Sequence, residues 1–176
     1  MTLHQIRATA PTDRSAVEAL LDRSFGPDRH LRTAYRLREA ASPCRALQRV
    51  AIGPDGMLLA TIEFWHVQLA MAHGAQEALL LGPIAVEPAR RGEGIGVALI
   101  EDGIARARAL GHALIMLVGD LDYYARFGFS NAQTAGWRLP GPVEQERVLA
   151  LPLHANMVLP KDADVLGLRL SAEQAA

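Results

Sequence analysis

The sequence predicts a mixed α/β protein built around one sheet. Some segments carry apolar residues at helical intervals, and others are near-continuous apolar runs, which are typical of strands buried on both faces. Their order, β-α-α-β-β-β-α-β-α followed by one or two strands, favours helices layered on a sheet. With 176 residues, of which 50% are hydrophobic, the chain suits one domain. We expect this domain to span residues 1–160, and residues 161–176 to form a tail that is frayed or a short helix.

The first quarter of the chain predicts one strand and two helices. Leu3–Thr9 is the strand, and Ser15–Phe25 has the apolar spacing of a helix that ends at a Gly-Pro pair. A second helix is predicted over Asp28–Ala41. Its basic stretch, Arg29–Arg38, places arginines at helical spacing, and we interpret it as a solvated helix face.

The next segments predict strands. Ala46–Ile52 and Met57–Ala70 are expected to pair, because Gly53–Gly56 is a strong hairpin turn sequence. Glu77–Val86 is a near-continuous apolar run, as expected for a strand buried on both faces.

Helical and strand segments alternate in the rest of the chain. Ile95–Leu110 has helical periodicity, Ala113–Val118 is a buried strand and Asp122–Phe127 is a short helix. The segment Trp137–Leu159 is rich in proline and glycine, with one clear strand at Arg147–Leu151.

Composition and charge argue against several classes of protein. The 18 basic and 19 acidic residues give a net charge of −1, without the basic surplus that nucleic-acid binders usually carry. Cys44 is the single cysteine, so an intramolecular disulfide is excluded and a reducing cytoplasm is the expected compartment. Met1–Ala10 lacks the apolar core of a secretory signal, and no apolar run approaches the roughly 20 residues needed to span a bilayer. We expect no membrane partner, no nucleic acid and no metal.

A glycine-rich turn carries the clearest chemical signal. Gly92, Gly94 and Gly96 fall where a strand gives way to a helix. Glycine allows positive φ and close approach of a ligand, and the first turn of a helix offers free N–H donors and partial positive charge. Arg90 and Arg91 add charge at the rim. The turn therefore suits a phosphate group.

Two common nucleotide-binding motifs do not fit this turn. A G-x-G-x-x-G pattern that starts at Gly92 meets Val97 at its sixth position, and the P-loop requires a Gly-Lys pair that the chain lacks. On these residues alone, a purely structural glycine turn stays open.

The pattern that fits is V-x-P-x-x-R-x-x-G-x-G, formed by Val86, Pro88, Arg91, Gly94 and Gly96. It resembles the acyl-CoA motif of the GNAT superfamily of N-acetyltransferases.

A second motif follows about 30 residues later. Tyr124, Gly128 and Phe129 match the Tyr-x-x-x-Gly-Phe sequence that commonly ends the core of GNAT enzymes. Its fuller form, Gly119–Phe129, resembles the bacterial YhbS-like branch of predicted acetyltransferases.

The resemblance implies a fold and an activity. The fold would be a mixed, mostly antiparallel central sheet of about seven strands flanked by helices, with splayed fourth and fifth strands. The activity would be transfer of an acetyl group from acetyl-CoA directly to a primary amine of a small molecule or protein. A non-catalytic acyl-CoA-binding or sensing module is the alternative, and homodimerisation is common for such folds.

The resemblance also implies site residues. Three strand residues would hold pantetheine, and the loop and helix start would bind the pyrophosphate. The complete cofactor-binding set is Ile84, Ala85, Val86, Arg91, Gly92, Glu93, Gly94, Ile95, Gly96 and Val97.

Tyr124 matches the family tyrosine near the CoA sulfur and is the predicted general acid. For the neighbouring Tyr123 we favour a packing role. The general base is not identified, because Leu80 stands where some GNAT enzymes carry a glutamate. Five weak candidates remain, and for Asp120 helix capping is the favoured interpretation. They are Glu63, His66, His73, Glu77 and Asp120.

Overall fold

The computed structural model describes residues 4–171 and residue 174. The described part of the chain contains eight strands and four α-helices. The strands are β1 (Gln5–Ala8), β2 (Arg49–Ile52), β3 (Leu58–Met71), β4 (Gly74–Val86), β5 (Leu114–Val118), β6 (Gly136–Arg138), β7 (Val148–Pro152) and β8 (Asp162–Gly167). The helices are α1 (Arg14–Phe25), α2 (Thr33–Glu39), α3 (Ile95–Ala109) and α4 (Leu121–Tyr124).

One mixed sheet organises the molecule. Its main order is β1-β2-β3-β4-β5-β7, and every neighbouring pair in that order is antiparallel except β4 and β5. Strand β8 pairs with the second half of β3 and carries β6 on its other side. The predicted mostly antiparallel sheet is confirmed, with eight strands where about seven were expected.

Strands β4 and β5 separate after a short paired segment. Their parallel ladder includes only Leu79 with Ile115 and Leu80 with Met116. Beyond it β4 continues to Val86, hydrogen-bonded only to β3 on its other side, and β5 continues to Val118. The predicted splay is therefore confirmed, and it opens a gap between two strands in the middle of the sheet.

Helices cover both faces of the sheet, because alternate strand residues point to opposite sides. On one face, α3 packs on β2–β5 through residues that include Ile95, Leu99 and Ile104. On the other face, α1 packs against Val50 and Ala85, and α2 inserts Leu37 into a second apolar cluster. The gap between β4 and β5 is thus bordered by helices on both sides.

The predicted helix over Asp28–Ala41 is wrong in part. Residues Pro27–Leu31 form a 3₁₀ turn, Arg32 is extended, and only Thr33–Glu39 is α-helical. The predicted solvated basic face is also wrong for Arg29, which is only 3% exposed. Its guanidinium binds Glu18, Asp22 and Tyr35. These contacts connect the Pro27–Leu31 turn to α1.

The C-terminal prediction needs a second correction. Residues 161–176 were expected to be a frayed tail or a short helix, but Asp162–Gly167 form strand β8. Its Ala163 and Val165 are buried against the sheet, so this segment is part of the core. Residues 172, 173, 175 and 176 of the predicted tail lie outside the described residues, as do residues 1–3 of the predicted first segment.

Candidate active site

A cleft of about 500 Å³ lies between the free edge of β4 and the start of α3. We call it the small cleft. It includes nine of the ten residues that the sequence assigned to cofactor binding, all except Glu93. The complete lining is Ser24, Phe25, Ile84, Ala85, Val86, Arg90, Arg91, Gly92, Gly94, Ile95, Gly96, Val97, Tyr123 and Arg126.

The glycine turn leaves the first amides of α3 free. Gly92 and Gly94 have φ values of 86° and 80°, a left-handed conformation that disfavours residues with a Cβ. Gly94 caps the helix without a side-chain hydrogen bond, and the first intrahelical bond runs from Ala98 N–H to Gly94 O at 3.0 Å. The N–H groups of Ile95, Gly96 and Val97, three residues that line the small cleft, therefore have no partner within the helix, as an anion site requires.

Three arginines border the small cleft, and they differ in exposure and in the side chains that they contact. The guanidinium of Arg90 is held by Glu93 through two bonds of 2.6 and 2.8 Å. Arg91 is exposed at the same rim. Arg126 also lines the cleft, with its Cζ 5.5 Å from the Tyr123 ring centre.

The free edge of β4 supplies further backbone donors and acceptors. Glu87 N–H donates to Leu59 O at 2.7 Å, on the β3 side. Because successive residues of a strand direct their amides to opposite sides, those of Ile84 and Val86 face away from β3. They face the gap left by β5, where an extended ligand can pair with them as an added strand does.

A second, larger cleft of about 1130 Å³ adjoins the first. We call it the large cleft. It lies between α2, the ends of β4 and β5, α4 and the segment 142–144. Phe25, Ile84 and Tyr123 line both clefts, so the two meet at these residues.

Tyr124 lies on the wall of the large cleft, at the end of α4. Its ring packs between Phe127 and Phe129 and passes so close to Gly119 that a Cβ there would stand 2.5 Å from the ring. Burial raises the pKa of Tyr124 to about 12. The hydroxyl therefore stays protonated near neutral pH, the state that a proton donor requires.

Tyr123 is more exposed to the two clefts than the sequence indicated. We favoured a packing role, but its side chain is 38% exposed and lines both clefts. Its ring meets that of Tyr124 edge-on, with centroids 5.0 Å apart. The signal in the sequence was the Tyr-Tyr pair itself, because two adjacent residues of a helix cannot both face the core.

The five candidates for the general base are widely separated. Asp120 lines the large cleft, and its carboxylate caps α4 by accepting from Asp122 N–H at 3.1 Å, as favoured from the sequence. His73 and Glu77 are exposed near the β3–β4 turn, and His66 lies beside His112. Glu63 is half-buried and accepts from the Trp65 indole at 3.1 Å, and burial raises its pKa.

Two further observations concern the catalytic groups. Leu80, at the position of the glutamate found in some GNAT enzymes, is 1% exposed and carries no titratable group. The large cleft contains a second carboxylate, Glu144, which the sequence did not single out. Within the residues that the structure describes, no group of three or more His, Cys, Asp or Glu side chains is arranged to hold a metal ion.

Comparison with known proteins agrees with this geometry. Residues 5–132 match the family described as "Acetyltransferase (GNAT) domain". The chain belongs to the GNAT family of acetyltransferases. The resemblance predicted from the two motifs is thereby confirmed, and so is the enzyme class of that family, the acetyl-CoA-dependent N-acyltransferases.

Individual relatives extend the match. An uncharacterized N-acetyltransferase of Escherichia coli K12, YhbS, is 30% identical over 129 residues, which cover 72% of this chain and 74% of YhbS. The crystal structure of E. coli YhbS in complex with CoA covers 96% of this chain and 91% of its own, with a TM-score of 0.76 and 25% identity. A GNAT acetyltransferase from Brucella melitensis in complex with acetyl-CoA has a TM-score of 0.68 and 29% identity, and covers 94% and 96% of the two chains.

No helix in the described ranges, 4–171 with residue 174, is both long and apolar enough to cross a membrane. The roles assigned to individual site residues stay predictions, as does homodimerisation.

Proposed function

We propose that the protein binds acetyl-CoA in the small cleft and transfers its acetyl group directly to a primary amine bound in the large cleft. The observation that carries this proposal is the junction of the two clefts at Phe25, Ile84 and Tyr123, with Tyr124 on the wall beside it. Two substrates in these clefts would meet beside the free edge of β4. Such proximity favours direct transfer over a covalent enzyme intermediate.

The small cleft suits two chemical parts of the donor substrate, its pyrophosphate and its pantetheine arm. The free amides at the start of α3 and the cation of Arg91 complement a pyrophosphate. The outward amides of Ile84 and Val86 complement the two amides of pantetheine. Arg126 offers a further cation at the same rim. The CoA and acetyl-CoA complexes of YhbS and the Brucella protein support this assignment.

Acetyl transfer to an amine needs a polarised carbonyl, a neutral amine and a proton for the leaving thiolate. Of the backbone N–H groups near Ala85 and Val86, one that faces away from β3, that of Ile84 or Val86, would polarise the carbonyl. The protonated hydroxyl of Tyr124 would supply the proton. Asp120 and Glu144 are the carboxylates of the large cleft within the described residues, and either would accept a proton from the incoming ammonium directly or through water.

The test compares two adjacent phenylalanine substitutions. In Tyr124→Phe, we expect kcat for acetyl transfer to fall by about 100-fold, because general acid catalysis contributes that order, with the Kd for acetyl-CoA unchanged by calorimetry. In the matched control Tyr123→Phe, which keeps the ring at the cleft junction, kcat should fall much less. An unchanged kcat in Tyr124→Phe would contradict its role as proton donor.

A non-catalytic acyl-CoA-binding module is the second candidate, favoured by the apolar Leu80 at the position of the strand glutamate. The two functions differ in one measurement. An enzyme releases free CoA from acetyl-CoA in the presence of some member of a broad amine panel, whereas a sensor binds acetyl-CoA and releases none with any amine.

A further inference from the structure

The large cleft is rich in arginine. Four arginines and two acidic residues contribute to its wall, namely Arg32, Arg36, Arg38, Arg147, Asp120 and Glu144. Three of these arginines, Arg32, Arg36 and Arg38, come from the α2 segment, which faces the ends of β4 and β5. The cleft where we place the acceptor is thus positively charged, although the acceptor's reacting group is an amine.

Arg38 differs from the other arginines of this wall because its polar atoms are buried. Its Nε and Nη1 are enclosed and have no hydrogen-bond partner among the described residues. Its Nη2 is directed at β4 and lies 3.5 Å from the point where a Cβ on Gly82 would stand. The guanidinium lies over the ring of Tyr35, with Cζ 4.0 Å from the ring centre. This stacking stabilises the cation but leaves the N–H donors of Nε and Nη1 without an acceptor among the described residues.

Arg29 shows how the same segment satisfies a buried arginine. Its guanidinium binds the carboxylates of Asp22 and Glu18 and the hydroxyl of Tyr35. The positive charge of Arg38 is offset first by Tyr35 and then, at a distance, by the carboxylate of Glu63. The Glu63 carboxylate, however, is held by the Trp65 indole and forms no ion pair with Arg38 in the described structure.

A buried cation without a carboxylate costs folding free energy. Burial lowers the pKa of Arg38, but a guanidinium remains charged at neutral pH. A ligand that brings a negatively charged hydrogen-bond acceptor to the guanidinium would offset this cost. A single guanidinium presents two parallel N–H bonds, a geometry that matches a carboxylate.

We propose that Arg38 is a receptor for a carboxylate on the acceptor, so that the substrate class is amines that carry a carboxylate a few bonds away, as amino acids do. This rests on the function proposed above. The guanidinium lies beside Gly82, two residues before the cleft junction at Ile84, and two residues span roughly 7 Å along a strand. A carboxylate at Arg38 and an amine at the junction are therefore compatible with one small molecule.

The experiment uses matched acceptors with saturating acetyl-CoA and measures release of free CoA. Glycine, β-alanine and γ-aminobutyrate are each compared with the corresponding carboxamide. We expect at least one carboxylate to exceed its carboxamide by about tenfold or more in kcat/KM, since a charge-assisted pair is lost in the amide. In Arg38→Gln this ratio should approach one through a higher KM for the carboxylate. Arg38→Lys should retain part of it.

The matched control is Arg14→Gln, which removes the same charge from the exposed first residue of α1, outside both clefts. It should leave the ratio unchanged. Circular dichroism and Tm establish that each variant is folded. If Arg38→Gln fails to fold, the carboxylate-to-carboxamide ratio of kcat/KM in the wild type and in Arg38→Lys still tests the proposal. A wild-type ratio near one, or a ratio that Arg38→Gln leaves intact, would overturn the proposal.

A separate arm distinguishes this proposal from the catalytic one. If no amine releases CoA, the proposed activity fails, and binding of propionate to the CoA-saturated protein is measured by calorimetry. Propionate binding that is lost in Arg38→Gln supports the carboxylate receptor, and absence of binding to the wild type overturns it. Aminoethyl phosphate serves as the phosphate arm, and preference for it over every carboxylate overturns the assignment to a carboxylate.

Discussion

The hydroxyl oxygen of Tyr123 lies 3.7 Å from the point where a Cβ on Gly96 would stand. The two sequence motifs, one at the start of α3 and one on α4, are therefore in contact across the small cleft. The same Cβ position on Gly96 would be 3.2 Å from Val86 Cγ2. Gly96 thus keeps open a narrow space between the free edge of β4, α3 and the aromatic wall.

The first prediction concerns that space. In Gly96→Ala we expect the Kd for acetyl-CoA to rise about tenfold or more, because the added methyl presses on Val86 and occupies the path between the strand and α3. Tm should change little, since alanine favours a helix by about 1 kcal/mol over glycine and offsets the crowding. Calorimetry with acetyl-CoA measures the affinity. An unchanged Kd would show that the ligand does not pass this point.

The second prediction follows from the pKa of Tyr124. Because burial raises this pKa from 10.0 to about 12, the proton donor stays protonated throughout the range in which amines become neutral. With saturating substrates, kcat should rise as the acceptor amine loses its proton and should show no decline up to pH 10. A decline of kcat with a midpoint below pH 10, in protein still folded by circular dichroism, would contradict the assigned role.

Local patterns were sufficient to predict the small cleft. The spacing of Arg91, Gly94 and Gly96 after a buried strand depends only on neighbouring residues, because a strand, a turn and a helix start follow one another in the chain. Glycine at a left-handed position and free amides in a first helical turn are properties of such a segment. Nine of the ten residues that the GNAT resemblance implies line the cleft.

The large cleft depends on contacts that no local pattern contains. Arg38 and Gly82 approach each other only after α2 has packed over β4. In the sequence, Arg29 and Arg38 have the spacing of a solvated helix face, yet their burial comes from partners on α1 and on the sheet. The position of Tyr123 on both clefts likewise depends on elements outside its own helix, so the sequence alone indicated only packing for it.

The third prediction tests how α3 is seated on the sheet. A Cβ on Gly103 would stand 2.7 Å from the ring of Phe64, which is fully buried. We expect Gly103→Ala to lower the free energy of unfolding by up to about 2 kcal/mol, because overpacking costs about 1–3 kcal/mol and the higher helix propensity of alanine offsets about 1 kcal/mol of it. Urea unfolding measures this change. The change should be smaller when it is made in Phe64→Leu, since the smaller side chain leaves room. Equal effects in both backgrounds would show that the ring is not the obstacle.

The fourth prediction concerns stability in acid. His66 and His112 are half-buried with ring centroids 5.8 Å apart, and His112 Nε2 is 3.8 Å from the buried Cys44 thiol. Burial lowers the pKa of both imidazoles below the ordinary value of 6.5, and for His66 the charge of His112 lowers it further. The folded state therefore favours neutral rings, whereas the unfolded chain takes up protons near pH 6.5.

Below pH 6.5 the unfolded state binds more protons than the folded state. The contribution of the two histidines to the free energy of unfolding is therefore fully present above pH 6.5, and it is lost as the pH falls from 6.5 toward the lower pKa values of the folded state. In His112→Gln, which removes one titrating ring and its repulsion of His66, the decrease of Tm between pH 7 and pH 5 should be shallower than in the wild type. His73→Gln, at an exposed turn, is the matched control and should keep the wild-type slope. If His112→Gln keeps that slope as well, the acid sensitivity arises from other groups, and the pair of imidazoles is neutral to stability over this range.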